Sequence, residues 1–200
     1  MNKILVTYAT NSGSTLEVAK AVLEEIQKSG VQAELAPVAE VTDLSAYSAV
    51  VLGAPMIMGW HRSALNFLRK NKAALAKKSL AFFVTCMSLT ESGETHVQGV
   101  PISVDKNLPK PAKNNARLSF KERYSQLANY IRPILRASPH KPVSVGVFAG
   151  QLNYSRMQWW AMIFVVLILQ APAGDKRNWE AIRSWAGGLP AKFNSQVIES

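Results

Sequence analysis

The stretch best suited to chemistry is the hexapeptide at residues 10–15, TNSGST, which gathers four hydroxyl residues around one glycine. It lies between an apolar β-branched run at residues 4–6 and an amphipathic helical pattern that starts at residue 16. The first backbone N–H groups of a helix have no partner within the helix, and the helix dipole adds positive potential there, so this corner suits a phosphate group. The alternative is an ordinary helix cap, which needs one hydroxyl and not four.

Other phosphate and metal motifs do not fit. The chain has no G-x-x-x-x-G-K-[ST] sequence, and no G-x-G-x-x-G follows the first apolar run. That run has no acidic residue at its end to hold magnesium, and three scattered histidines with one cysteine give no zinc-ligand spacing. Hydroxyls without a lysine therefore favour a phosphate bound without a metal ion.

The elements around this corner predict an α/β fold. Apolar or β-branched runs at residues 4–6, 31–38, 48–54, 79–86 and 143–149 are typical of strands, and helical patterns separate them and close the chain at residues 178–188. Such alternation predicts a three-layer sandwich with a five-stranded parallel sheet. With 200 residues and 48% hydrophobic content, we expect one domain over residues 1–200.

Two segments depart from the alternation. Residues 87–118 form a long polar connection, typical of a functional lid or a mobile loop, and lead into a helix at residues 119–137. Ser119 and Glu122 have capping-box spacing there, and Pro133 predicts a bend. The uncharged segment at residues 157–171 predicts a helix too short to span a bilayer, and it is either core or a surface that dips into a membrane with Trp159 and Trp160 at the headgroup level.

The formal net charge is +10, and the basic excess is concentrated at residues 106–141. A basic lid over an anionic substrate, contact with an anionic membrane surface, and a solvated face that aids solubility all remain open. Nucleic acid is not expected, because the basic residues are not interleaved with aromatics in a recognition motif. The lone cysteine and the absence of a signal-peptide pattern predict a cytoplasmic protein.

Three segments resemble flavodoxins. The T-x-S-G-x-T pattern at residues 10–15 resembles their phosphate loop, YSAVVLGAPMIMGWHRSALNFL resembles the strand and loop that cover one face of the flavin, and TCMSL resembles the loop on its other side. Within this superfamily the chain is most similar to the flavodoxin-like protoporphyrinogen oxidases. The residues that carry this likeness are GAPMIMGWHRSALNFLRKN and AGQLNYSRMQWWAMIFVVLILQAPAGDKRNWEAI. The chain departs from that group at Trp60, in its uncharged apolar helix and in its longer loop at residues 87–118.

The resemblance implies FMN as cofactor, with contacts from four places. These are Thr10, Asn11, Ser12, Gly13, Ser14 and Thr15; Pro55, Met56, Ile57, Met58, Gly59 and Trp60; Thr85, Cys86, Met87 and Ser88; and Gly150, Asn153 and Tyr154. We expect Trp60 to stack on the isoalloxazine, the alternative being a core or surface aromatic. His61 is a weak candidate for a catalytic proton relay, the alternative being a cap of the next helix. Cys86 is interpreted as a small buried residue without a redox role.

The resemblance also implies an activity. It predicts an FMN-dependent oxidoreductase of heme biosynthesis that passes electrons from a reduced, anionic tetrapyrrole to a quinone, peripheral at the inner face of the cell membrane. One alternative is a flavodoxin-type carrier that shuttles electrons between redox partner proteins. Another is a flavin-binding regulator or assembly partner without catalysis.

Overall fold

The computed structural model describes residues 3–56, 59–114, 117–152 and 174–198. The strands are β1 (Lys3–Tyr8), β2 (Ala33–Pro37), β3 (Tyr47–Pro55), β4 (Ser79–Cys86), β5 (Leu89–Thr90), β6 (His96–Val97), β7 (Val100–Val104), β8 (Pro109–Lys110), β9 (Ser144–Ala149), β10 (Gln151–Leu152) and β11 (Gly174–Asp175). The helices are α1 (Ser14–Lys28), α2 (Arg62–Lys70), α3 (Lys72–Leu75), α4 (Phe120–Tyr124), α5 (Leu127–Ala137), α6 (Trp179–Gly187) and α7 (Leu189–Ile198).

A central sheet lies between two helical layers, which confirms the predicted α/β architecture. Its strand order is β2-β1-β3-β4-β9-β7-β6, and all neighbours are parallel except β6, which is antiparallel to β7. Alternate residues of the strands pack on opposite sides: Leu52 and Phe82 face α2 and α5, whereas Val51 and Phe83 face α1 and α6. Side chains on both faces are therefore buried, as the continuous apolar runs predicted.

The sheet of the described chain has seven strands, so the prediction of five was wrong. The two additional strands lie in the segment that was interpreted as a polar loop: β7 pairs with β9, and β6 folds back on β7. In β7, Val100 and Ile102 are buried while Pro101 and Ser103 are exposed, which is the alternation of a half-buried strand. The prolines obscured that period-two signal.

The helix at residues 119–137 is divided at a different place from the one predicted. Its start is confirmed as a capping box, since the Glu122 amide donates to Ser119 Oγ at 3.2 Å and the Ser119 amide donates to Glu122 Oε2 at 2.7 Å. The break falls between α4 and α5, before Pro133, which lies inside α5. Thr90 accounts for it, because its hydroxyl donates to the Glu122 carbonyl at 2.8 Å and its amide to the Ser125 carbonyl at 2.9 Å. Those two carbonyls therefore accept from Thr90, and the helix is interrupted there.

Part of the prediction falls on residues outside the described chain. These are the apolar helix at residues 157–171, with Trp159 and Trp160, and the site residues Ile57, Met58, Asn153 and Tyr154. Within the described residues, no helix is both long enough and apolar enough to cross a bilayer.

Candidate cofactor site

The loops that carry the predicted site residues meet at the carboxyl edge of the sheet. They follow β1, β3, β4 and β9, which are neighbours in the central sheet. Backbone hydrogen bonds join them: the Met56 amide donates to the Thr85 carbonyl at 2.8 Å, and the Gly150 amide donates to the Cys86 carbonyl at 2.8 Å. Ligands of doubly wound α/β proteins bind at this edge, near the point where the strand order reverses.

The phosphate loop leaves the start of α1 without a side-chain cap. The capping residue is Gly13, whose φ of 88° is a left-handed conformation that suits glycine, and no side chain of the described residues bonds the first helical amides. The hydroxyl of Thr10 accepts from the Gly13 amide at 2.9 Å. The ordinary-cap alternative therefore does not describe this corner, because the amides at its helix start stay available to a ligand.

The hydroxyls of the loop divide into two kinds. Thr15 is fully buried, and its Oγ1 lies 3.2 Å from the Oγ1 of Thr85, so this pair fastens the start of α1 to the end of β4. Thr10, Ser12 and Ser14 are only partly buried and border the open corner. The Thr15 side chain thus shapes the loop, while the other three hydroxyls are placed to meet a ligand.

His61 connects the phosphate loop to the next helix. Its Nδ1 accepts from the Ser63 amide at 3.3 Å and lies 2.7 Å from the Ser63 hydroxyl, which confirms the capping alternative. Because Nδ1 accepts, Nε2 carries the proton and donates to Asn11 Oδ1 at 2.9 Å. Burial lowers the pKa of His61, which favours this neutral form. A proton-relay role stays a prediction.

Trp60 lies in the core beneath the edge. Only 5% of the Trp60 surface is exposed, and its indole N–H donates to the Tyr130 carbonyl at 2.5 Å. The Tyr130 hydroxyl in turn donates to the Ser88 carbonyl at 2.9 Å, so α5 supports the loops after both β3 and β4. This geometry favours the core interpretation of Trp60, and contact with the flavin stays a prediction.

The Cys86 thiol is enclosed at the end of β4. Only 2% of the residue is exposed, and Sγ lies 3.8 Å from the Phe148 carbonyl oxygen. Burial raises the pKa of the Cys86 thiol, which disfavours the reactive thiolate. These observations favour its interpretation as a small buried residue.

Sequence reasoning missed an ion-pair cluster beside the phosphate loop. The guanidinium of Arg177, with a side-chain exposure of 5%, binds Glu17 of the first turn of α1 at 2.5 Å and Asp175 at 2.6 Å. A carboxylate in that turn would repel a bound phosphate, and the ion pair with Arg177 weakens that repulsion. No local sequence signal pairs residues 160 positions apart.

A cavity of about 470 Å³ lies at the opposite, amino edge of the sheet. Its lining includes Gly30, Ser48 and Phe193. The predicted site residues are at the carboxyl edge, so this cavity is separate from the candidate site. Within the described residues, no group of three or more His, Cys, Asp or Glu side chains could ligate a metal ion.

Comparison with known proteins gives relatives over nearly the whole length. The family model for the Flavodoxin domain matches residues 5–178. Protoporphyrinogen IX dehydrogenase [quinone] of Escherichia coli (strain K12) is 26% identical over 195 residues, 92% of each chain. The protein of the same name from Leishmania major is 23% identical over 201 residues, which cover 94% of this chain and 75% of that one.

Solved structures agree on the fold. A flavodoxin from the domain Archaea aligns with a TM-score of 0.52 at 12% identity, covering 96% of this chain and 99% of that one. A short-chain flavodoxin associated with a bacterial microcompartment also aligns with a TM-score of 0.52, at 13% identity, covering 96% of this chain and 98% of that one.

The described residues fit the FMN of flavodoxins. Its phosphate requires amide and hydroxyl donors without a metal ion, and the corner offers the uncapped start of α1 together with Thr10, Ser12 and Ser14. The ion pair with Arg177 weakens the repulsion between this phosphate and Glu17, the acidic residue of the first helical turn. With a family match over residues 5–178 and the sheet order and loop arrangement of that fold, this chain belongs to the Flavodoxin domain family and binds FMN.

Proposed function

We propose that this chain is an FMN-dependent oxidoreductase that oxidises a reduced, anionic tetrapyrrole, protoporphyrinogen IX, and passes the electrons to a quinone at the inner face of the cell membrane. The observation that carries the proposal is the likeness to proteins named protoporphyrinogen IX dehydrogenase [quinone] over 92% of each chain. FMN supplies the redox chemistry, because it accepts electrons from the substrate and releases them to the acceptor.

The chain's own residues would hold and shield the cofactor. Amides at the start of α1 and the hydroxyls of Thr10, Ser12 and Ser14 would bind its phosphate. The loops after β3 and β4, supported from below by Trp60 and Tyr130, would border its ring and exclude water. The exposed lysines of the 87–118 segment, Lys106, Lys110 and Lys113, would attract the carboxylates of the tetrapyrrole.

The test is anaerobic turnover. Protein loaded with FMN should convert protoporphyrinogen IX to fluorescent protoporphyrin only when a quinone is added, with stoichiometric quinone reduction. Protein stripped of flavin is the control, and it should show only the uncatalysed background rate. An FMN-loaded protein that leaves the porphyrinogen rate at that background would contradict the proposal.

An electron carrier is the second candidate, since two solved structures that share the fold are flavodoxins. Rapid reduction by a flavodoxin reductase, and reoxidation by a second protein without porphyrinogen turnover, would favour that function. Bound flavin without either activity would favour a regulator or assembly partner.

A further inference from the structure

The two helical layers of the sandwich differ sharply in charge. Helices α2 to α5 with their flanking residues, 62–78 and 117–141, contain twelve Lys and Arg but one acidic residue, Glu122; we call this the cationic layer. The rest of the chain holds the other eleven Lys and Arg and twelve Asp and Glu. The cationic layer therefore has a formal net charge of +11 (twelve minus one), and the rest of the chain has −1 (eleven minus twelve).

The opposite layer pairs its charges internally. Arg183 of α6 binds Glu24 at 3.1 Å and Glu25 at 3.5 Å, and Arg177 binds Glu17. These contacts join α6 to α1, so this side gains cross-helix ion pairs and carries little net charge.

The cationic layer shows no such pairing. Among its described side chains, no Lys or Arg lies within 4 Å of a carboxylate, and the oxygens of Glu122 accept from the backbone amides of Ser119 and Lys113. Arg132 and Arg136 are both exposed and stand four residues apart on α5, a like-charge arrangement that disfavours an isolated helix. A partner outside the molecule would explain why these charges are left uncompensated.

An exposed aromatic residue lies in the same layer. Phe120, the first residue of α4, is 81% exposed and stands between the exposed Arg117 and Arg123. By contrast, the Trp179 ring on the other side is 37% exposed, with the Arg177 guanidinium 4.5 Å from its centroid. Among the described residues, Phe120 is thus the large apolar side chain most open to a partner.

We propose that the cationic layer is a docking surface for an anionic lipid bilayer, with Phe120 inserted at the level of the headgroups. Cations spread over several helices match a plane of anionic headgroups, and an aromatic residue among them is typical of interfacial anchoring. A protein interface would have an apolar centre depleted of charge, and a single-stranded nucleic acid would need successive aromatic platforms, whereas Phe120 stands alone. The inference rests on the proposed function in one respect: a quinone dissolved in the membrane gives the protein a reason to bind the bilayer.

The test compares variants of the full FMN-loaded chain in vesicle sedimentation. Vesicles of phosphatidylcholine alone should bind little, and vesicles that also contain phosphatidylglycerol should bind the protein in a salt-sensitive way. The double variant Arg132→Gln/Arg136→Gln should weaken binding about 30-fold at low ionic strength. The matched control, Lys20→Gln/Lys28→Gln, removes two cations from α1 on the other layer and should change binding less than threefold.

Phe120→Ser should weaken binding several-fold, and the loss should persist when salt screens the charges, because its contribution is apolar. The visible spectrum of bound FMN and turnover with a water-soluble quinone check that each variant is folded, so failure to dock is distinguishable from failure of the proposed function. Equal binding to both kinds of vesicle, or equal losses in the α5 and α1 variants, would overturn the proposal. So would binding to an oligonucleotide or an acidic protein through this layer without vesicle binding.

Discussion

Replacing Thr10 by valine isolates the contribution of the phosphate loop to FMN affinity. Valine keeps the β-branched shape and removes the hydroxyl that accepts from the Gly13 amide at 2.9 Å. A hydroxyl can accept and donate at once, so in the loaded protein the Thr10 hydroxyl can hold the Gly13 turn and still donate its proton to the phosphate. The substitution should therefore weaken a contact that riboflavin, which lacks the phosphate, does not make.

The expected loss of FMN affinity follows from the charge of the phosphate, which accepts this hydrogen bond. A hydrogen bond to a charged group contributes about 1.5–3 kcal/mol, whereas the bond to the Gly13 amide is between neutral groups and contributes less. At 1.4 kcal/mol per tenfold change, the Kd for FMN should rise about 10- to 150-fold. The Kd for riboflavin should change less than about threefold.

The assay is fluorescence titration of the flavin-free protein with FMN and with riboflavin. Ser29→Ala is the matched control, because it removes a hydroxyl that bonds the Ile26 carbonyl at 2.7 Å near the opposite end of α1. It should alter stability and leave the ratio of the two Kd values unchanged. If Thr10→Val weakened FMN and riboflavin equally, or weakened neither, the assignment of this corner to the phosphate would be wrong.

Two further predictions concern the residues beneath and beside the phosphate loop. The pKa of His61 is lowered from 6.5 in the folded protein, so the unfolded chain binds a proton at a higher pH than the folded one does. The free energy of unfolding should therefore fall as the pH drops from 6.5 to the lowered pKa, and it should level off below that pKa. Urea unfolding measured from about pH 7.5 to about pH 5 should show this fall in the wild type and not in His61→Asn, which keeps a capping side chain but does not titrate. An equal change of unfolding free energy with pH in the two proteins would contradict the prediction. Trp60→Phe removes the bond to the Tyr130 carbonyl and some core volume, and should cost about 1–3 kcal/mol of unfolding free energy in denaturant titration. The spectrum of bound FMN should stay unchanged, and a shifted spectrum or potential would instead support stacking of Trp60 on the ring.

Local patterns in the sequence were sufficient for most of the fold. The run at residues 79–86 coincides with β4, and the capping-box spacing of Ser119 and Glu122 is present as hydrogen bonds. These signals extend over a few residues, because strand alternation, helix periodicity and capping are properties of neighbouring side chains. Two elements were missed. The alternation in β7 was obscured by prolines, and α7 follows the segment at residues 178–188 that was predicted to be the last helix.

The sequence by itself determined the α/β alternation, and it predicted a phosphate loop at residues 10–15 with the cofactor at the strand ends. Only the tertiary structure decided that Trp60 faces the core, that Thr90 divides the helix before Pro133, and that Arg177 pairs with Glu17. The physical reason is distance along the chain. A hydrogen bond or ion pair between residues 30 to 160 positions apart forms only once the sheet has brought its partners together, and neither partner carries a local mark of the other.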